Sequence, residues 1–336
     1  MTHELKNIIS AFRAAKANSL KTVLATVVAL EGSSYRRPGV RMLIREDGKM
    51  IGAVSGGCVE KEILRQAQSV FSSDKSKMMT YDGRYRLGCE GILYILIEPF
   101  EPCNHVLGIA DILFQDRTQF QIVSYFRRED GENINYGSVL VLDKAEFQLR
   151  KNPPKKKFLE VFEQDMQPCL QLLIIGAEHD AVQLCTFASL TGWEVAVVAS
   201  ASEEKSINDF PGAAHFNSVE PEEFALETID KNTVVVLMTH SYVRDLKYLL
   251  SLKDARPTYL GLLGPSDRRE RLLGELIERH PEISDTFFDC IHGPAGLNIG
   301  AETSQEIAIA ILAEILSVIR NKKPMMLKNK TGRIHN

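Results

Sequence analysis

Between residues 170 and 263 the chain repeats one pattern: an unbroken apolar run, a polar break, then a segment of helical periodicity. The apolar runs fall at 170–175, 193–198, 233–238 and 259–263. A strand that is apolar on both sides is buried on both faces. Strands of that kind separated by helices define a parallel, doubly wound α/β sheet. In such a sheet the strand C-terminal ends share one edge, where ligands bind. The segments just past those ends are Gly176-Ala177-Glu178-His179, Thr239-His240, Leu263-Gly264-Pro265 and His292-Gly293-Pro294. Gly176, His179, His240, Gly264 and His292 are therefore expected along one rim.

The first half reads differently. A helix over 4–17 precedes a strand over 22–30 and a polar loop over 31–39. Runs at 40–45 and 49–54 flank Asp47-Gly48, a hairpin signal. The second run ends in Ser55-Gly56-Gly57-Cys58 and passes into a helix to about residue 71, with Val59, Ile63, Ala67 and Val70 on one stripe. Strands are expected at 77–81 and 91–98, separated by Gly88-Cys89-Glu90-Gly91. The more polar stretch 101–150 carries two β-like runs, at 120–127 and 138–142. Lys151-Asn152-Pro153-Pro154-Lys155-Lys156-Lys157 reads as a linker. A last helix over 304–320 opens on a capping box, Thr303-Ser304-Gln305-Glu306, and a polar tail follows.

The glycine turn at 56–57 carries the most chemistry. A strand-to-helix turn made of glycines leaves backbone N–H groups uncovered at a helix N-terminus, where anions are favoured. Cys58 stands at that mouth, a setting that favours a thiolate. A tight turn with a small buried cysteine is the competing reading. The six cysteines contain no CxxC pair, which argues against a disulfide framework or a structural zinc site. With 336 residues, 44% of them hydrophobic, and a net charge of −4, the chain has the balance of a globular protein with room for two cores. That balance suggests neither a nucleic-acid binder nor a membrane-surface protein. No apolar run is long enough to span a bilayer, and no signal pattern opens the chain, so the cytoplasm is expected.

A glycine after the 170–175 strand invites a dinucleotide reading. The GxGxxG fingerprint requires glycine at 176, 178 and 181, but Glu178 and Ala181 occupy the second and third places. The next strand ends in Ala199-Ser200, where an acid would hold a ribose hydroxyl. Two independent requirements fail, so NAD(P) is not expected to bind.

Taken together, these tracts resemble the XdhC/CoxI family of xanthine dehydrogenase accessory proteins. The matching residues are the 31–39 loop with Arg36 and Arg37, then Arg41-Met42, then Ser55-Gly56-Gly57-Cys58-Val59-Glu60, and Gly88-Cys89-Glu90-Gly91 followed by Ile97-Glu98-Pro99. In the second half they are Gly176-Ala177-Glu178-His179, Thr239-His240, Gly261-Leu262-Leu263-Gly264 and Pro294-Ala295-Gly296-Leu297-Asn298-Ile299-Gly300-Ala301.

The resemblance implies an N-terminal family domain of mixed α/β structure over 1–100 and a connecting β-containing segment over 101–165. A Rossmann-like domain with a doubly wound parallel sheet over 166–320 and a polar tail over 321–336 complete the expected organisation. It implies an accessory protein, not an enzyme, that binds molybdenum cofactor (molybdopterin) transiently. That role supports the cofactor's sulfuration and its insertion into xanthine dehydrogenase or a related molybdenum hydroxylase of purine catabolism. A cysteine desulfurase as second partner and a homodimer are expected with it.

The cofactor site is then expected to draw on Arg36, Arg37, Arg41, Ser55, Gly56, Gly57, Cys58, Glu60, Gly88, Cys89, Gly176, His179, His240, Gly264 and His292, with Cys58 as the metal-ligand candidate. A carrier of a phosphate and a dithiolene-bound metal needs N–H-rich turns, arginines near them and a soft sulfur. The chain departs from the family at Glu178 and Glu90, where the family has glycine, and at Ala199-Ser200, where it has an acid. An NAD(P)-dependent oxidoreductase and a cofactor-free interaction subunit of the hydroxylase are the alternatives.

Overall fold

The structure is a computed structural model that describes residues 1–32, 37–85, 91–223 and 229–331. It divides into two compact units, Met1–Pro168 and Cys169–Asn336.

In the first unit, α1 (Thr2–Ala17) presents Leu5, Ile8, Ile9 and Phe12 to the core. β1 (Thr22–Glu31) is followed by the hairpin of β2 (Arg41–Arg45) and β3 (Met50–Gly52), closed at Asp47-Gly48 with Gly48 at a φ of 86°. Then come α2 (Cys58–Ser73), β4 (Lys77–Asp82), β5 (Ile92–Pro99), α3 (Asn104–Gln115), β6 (Phe120–Phe126), β7 (Gly131–Glu132), β8 (Gly137–Leu142), β9 (Ala145–Gln148) and β10 (Glu160–Met166).

A six-stranded antiparallel sheet runs β3-β2-β1-β5-β4-β7, and a four-stranded one runs β10-β6-β8-β9. The period of two along each strand sorts the side chains by face. Val23, Ala25, Val27, Met42, Ile44, Ile95 and Ile97 meet Val59, Ile63, Ala67 and Val70 of α2. Leu24 and Leu43 turn the other way, into a core shared with α1, α3, Phe120, Ile122 and Leu140.

The 101–165 region differs from its sequence reading. It contains α3, whose apolar face (Val106, Leu107, Ala110, Leu113) packs into that second core. The Lys151–Lys157 run does not separate the units. After it the chain pairs again as β10, in register Met166↔Phe120 with β6. Alternation in β10 buries Gln164 and Met166 while Glu163 and Asp165 stay exposed, which marks a half-buried antiparallel strand.

The second unit contains β11 (Gln171–Ile175), α4 (His179–Leu190), β12 (Glu194–Ala199), β13 (Ala213–Ser218), β14 (Thr233–Leu237), α5 (Tyr242–Ser251), β15 (Tyr259–Leu262), α6 (Ser266–Arg279), α7 (Asp285–Asp289), β16 (Ile291–His292) and α8 (Ser304–Ile319). Its sheet is parallel throughout, ordered β13-β12-β11-β14-β15-β16. The order reverses between β11 and β14, which makes the gap above those two strands the topological switch point. The Thr303 capping box forms with Glu306 as its sequence predicts. The polar edge strand β13 carried no apolar signal and was not legible. No helix among the described residues is long and apolar enough to cross a membrane.

Candidate functional site

β3 ends at Gly52, and four residues later the chain turns at Gly56-Gly57 into α2. Gly57 is the N-cap and Cys58 the first helical residue; the thiol is free and exposed. A side chain added at Gly56 or Gly57 would meet nothing within 4 Å, so the space over this turn is open. Glu60 holds the turn from beneath. Its Oε1 accepts the Val54 amide at 3.1 Å and the Ser55 amide at 2.6 Å, and the side chain is only 8% exposed. Its other oxygen has no partner among the described residues. Ser55 thus enters the site through its backbone, and Glu60 acts as a buried brace beneath it. The turn is free to approach a ligand, and Cys58 places a soft side chain at its mouth. Among the described residues no three of His, Cys, Asp and Glu converge as a metal-ligand set.

Arg37 is exposed. Arg41 pairs with Thr26 across β1 and β2 and shares the face of Leu43, opposite the one that packs on α2. Its guanidinium is buried among Gly39, Gln164 and Glu98, so the structure does not bring it to the glycine turn. The alternation Arg41, Leu43 against Met42, Ile44 was the sequence signal for this. Arg36, Gly88 and Cys89 lie outside the described residues.

In the second unit Gly176, His179, His240 and Gly264 follow strand ends along the switch-point edge of the sheet. Gly176 follows β11 at a φ of 137°, and an added Cβ would lie 2.3 Å from the Met238 carbonyl oxygen. This glycine therefore lets the β11 and β14 loops touch. That role explains its presence without the other two fingerprint glycines. His179 opens α4 and His240, at a φ of 55°, closes the β14 loop; both are exposed across the switch point, with His240 Nε2 3.5 Å from Asp180 Oδ2. Gly264 follows β15 at a φ of 118°, against Arg268.

His292 sits lower, paired with Gly261, and its ring stacks on Tyr259 at 4.5 Å. Its Nδ1 lies 3.3 Å from Glu314 Oε1, while Glu314 Oε2 accepts the Tyr259 hydroxyl at 2.6 Å and the Gly296 amide at 2.8 Å. Burial works against the Glu314 carboxylate, but these donors outweigh it and hold its pKa below the ordinary value. Glu314 thereby ties β15, β16 and the glycine-rich loop after β16 to α8.

Two groups were missed from sequence. Glu314 is a lone acid inside the apolar run of α8, itself a signal of a buried partner. Asp245, buried in α5, accepts the Thr239 hydroxyl at 2.6 Å and pairs with Arg268, fixing the loops that carry His240 and Gly264.

A parallel doubly wound domain joined to an antiparallel two-sheet domain with a cysteine-bearing glycine turn defines a class of two-domain α/β proteins. Comparison with known families narrows it. Residues 172–315 match the XdhC Rossmann domain, and residues 15–82 match the XdhC and CoxI family. The chain belongs to the XdhC/CoxI family. It is 29% identical over 314 residues to a Bacillus subtilis protein named as a probable subunit of xanthine dehydrogenase, covering 88% of this chain and 92% of that one. It is 28% identical over 300 residues to the molybdenum cofactor insertion chaperone PaoD of Escherichia coli, covering 88% and 83%. A crystal structure described as a xanthine dehydrogenase from Bacillus halodurans superposes with a TM-score of 0.77 at 28% identity, over 94% of this chain and 97% of the other.

Proposed function

We propose that this protein is a carrier of molybdenum cofactor, which it receives as cargo and passes to xanthine dehydrogenase or a related molybdenum hydroxylase of purine catabolism. The observation that carries this reading is the exposed Cys58 thiol at an open double-glycine turn braced by a buried carboxylate. The residues present fit such a cargo: a soft sulfur suits the metal, and uncovered amides at a helix N-terminus suit an oxyanion. In the second unit, the strand-end rim of Gly176, His179, His240 and Gly264, with His292 below it, is a polar surface of its own. Support for sulfuration in concert with a cysteine desulfurase, a homodimer and a cytoplasmic setting belong to the same reading.

The test mixes the purified protein with cofactor released from a molybdoenzyme and gel-filters the mixture. Molybdenum should co-elute with the protein; its absence at micromolar protein would contradict a carrier. A second reading, a hydroxylase component that never holds cofactor, draws support from the name of the Bacillus subtilis relative. That reading expects stable co-purification with the enzyme and indifference to Cys58→Ala.

A further inference from the structure

The facing sheets of the first unit enclose a polar seam that the proposed carrier role does not use. Glu98 of β5, 1% exposed, accepts the Ser138 amide at 2.8 Å and hydroxyl at 2.6 Å. Arg150, 3% exposed, donates to Ser76 Oγ at 2.6 Å and to the Ile134 carbonyl, and Arg41, 4% exposed, donates through Nη1 to the Gly39 carbonyl at 2.9 Å and to Gln164. Both guanidinium groups act on the Glu98 carboxylate. Two cations thus share one buried anion.

Three donors and a hydroxyl are left over: Arg41 Nε, Arg41 Nη2, Arg150 Nε and Thr26 Oγ1 are buried without a partner among the described residues. Arg41 Nε and Nη2 form the side-on edge of the guanidinium. In Arg65 and Arg84 that same edge grips a carboxylate with both nitrogens, at 3.0 and 2.6 Å from Glu62 and at 2.9 and 2.6 Å from Asp82. In Arg41 it faces no acid, and Thr26, with its own unpartnered hydroxyl, stands directly opposite on β1. A guanidinium can only donate, and a buried donor without an acceptor is costly.

We propose that this seam is an occluded binding site for a small monovalent anion of the chloride class, held on the Nε/Nη2 edge of Arg41 beside Thr26. One such ion supplies the missing acceptor.

The experiment uses the full chain. Thermal unfolding is followed at constant ionic strength while gluconate, a bulky organic anion, is replaced by chloride or bromide. Tm should rise saturably by about 2–4 °C, and crystals grown in bromide should show one anomalous scattering peak within hydrogen-bond distance of Arg41 Nε or Nη2. In Arg41→Met the halide dependence should vanish; if that variant does not fold, the bromide crystal of the wild type decides. An anion-independent Tm together with a non-scattering water at the Arg41 edge would overturn the proposal. Neither result bears on molybdenum retention.

Discussion

The Cys58 sulfur touches no core, whereas the Cys169 side chain is 7% exposed and packed. Cys169→Ala should therefore cost about 1 kcal/mol, read as a lower Tm, with molybdenum retention intact. Glu60 is the residue on which the geometry of the turn depends. Glu60→Ala leaves the Val54 and Ser55 amides without their acceptor and should destabilise the first unit by about 1.5–3 kcal/mol. It should also weaken molybdenum retention, and Glu60→Gln, which can still accept through its carbonyl oxygen, should recover most of both. A Glu60→Ala protein with wild-type Tm would show that the carboxylate does not brace the turn. The sequence marked Glu60 as part of the motif, but its role beneath the turn depends on burial, which the helix stripe of Val59 and Ile63 only hinted at.

Among the turns and loops, glycines that look alike in sequence have opposite roles. Gly56→Ala places a methyl in open space and should leave stability within about 0.5 kcal/mol of wild type, while a bulkier Gly56→Leu should fill the cradle and lower molybdenum retention. Gly176→Ala drives a Cβ into the Met238 carbonyl at a left-handed φ and should cost at least about 2–3 kcal/mol. Thermal unfolding of the pair checks this, and equal losses would contradict the assignment.

The loop after β16 depends on Glu314. A carboxylate with a depressed folded pKa contributes stability that is fully present above its unfolded value of 4.5 and is lost as pH falls through the folded value. Glu314→Gln should therefore be less stable at neutral pH by about 1.5–3 kcal/mol and should lack this acid-side loss. A wild-type slope retained in the variant would count against the assignment.

The apolar runs made β11, β12, β14 and β15 legible, and with them the strand-end positions of His179 and His240, while His292 lies within β16 beside Tyr259. Helix α3 and strand β10 were not legible, because each is only half buried and its partner lies far along the chain, so local pattern competed with pairing the sequence does not display.

At the scale of the whole molecule, each unit has its own cores. The six-stranded sheet of the first buries α2 on one side and α1 with α3 on the other. The parallel sheet of the second is covered on both faces, by α4 and α8 on one and by α5, α6 and α7 on the other. Fold class was readable because these layers follow from periodicity. The second unit begins after Pro168, close to the expected start at 166, whereas the lysine-rich run has linker composition yet is followed by a paired strand of the first unit. Arg41 shows the same limit for the site: a motif neighbour in sequence faces away from the turn once the strand pleat is taken into account.

The claim that matters most is that Cys58 and its turn hold molybdenum cofactor. The direct measurement is molybdenum per mole of protein, by metal analysis, for wild type and Cys58→Ala co-expressed with the cofactor pathway and purified identically, with Tm recorded for both. Molybdenum should co-purify with the wild type and fall by at least about tenfold in the variant (about 1.4 kcal/mol of affinity), with Tm unchanged. Equal molybdenum in the two proteins, or none in either, would contradict it.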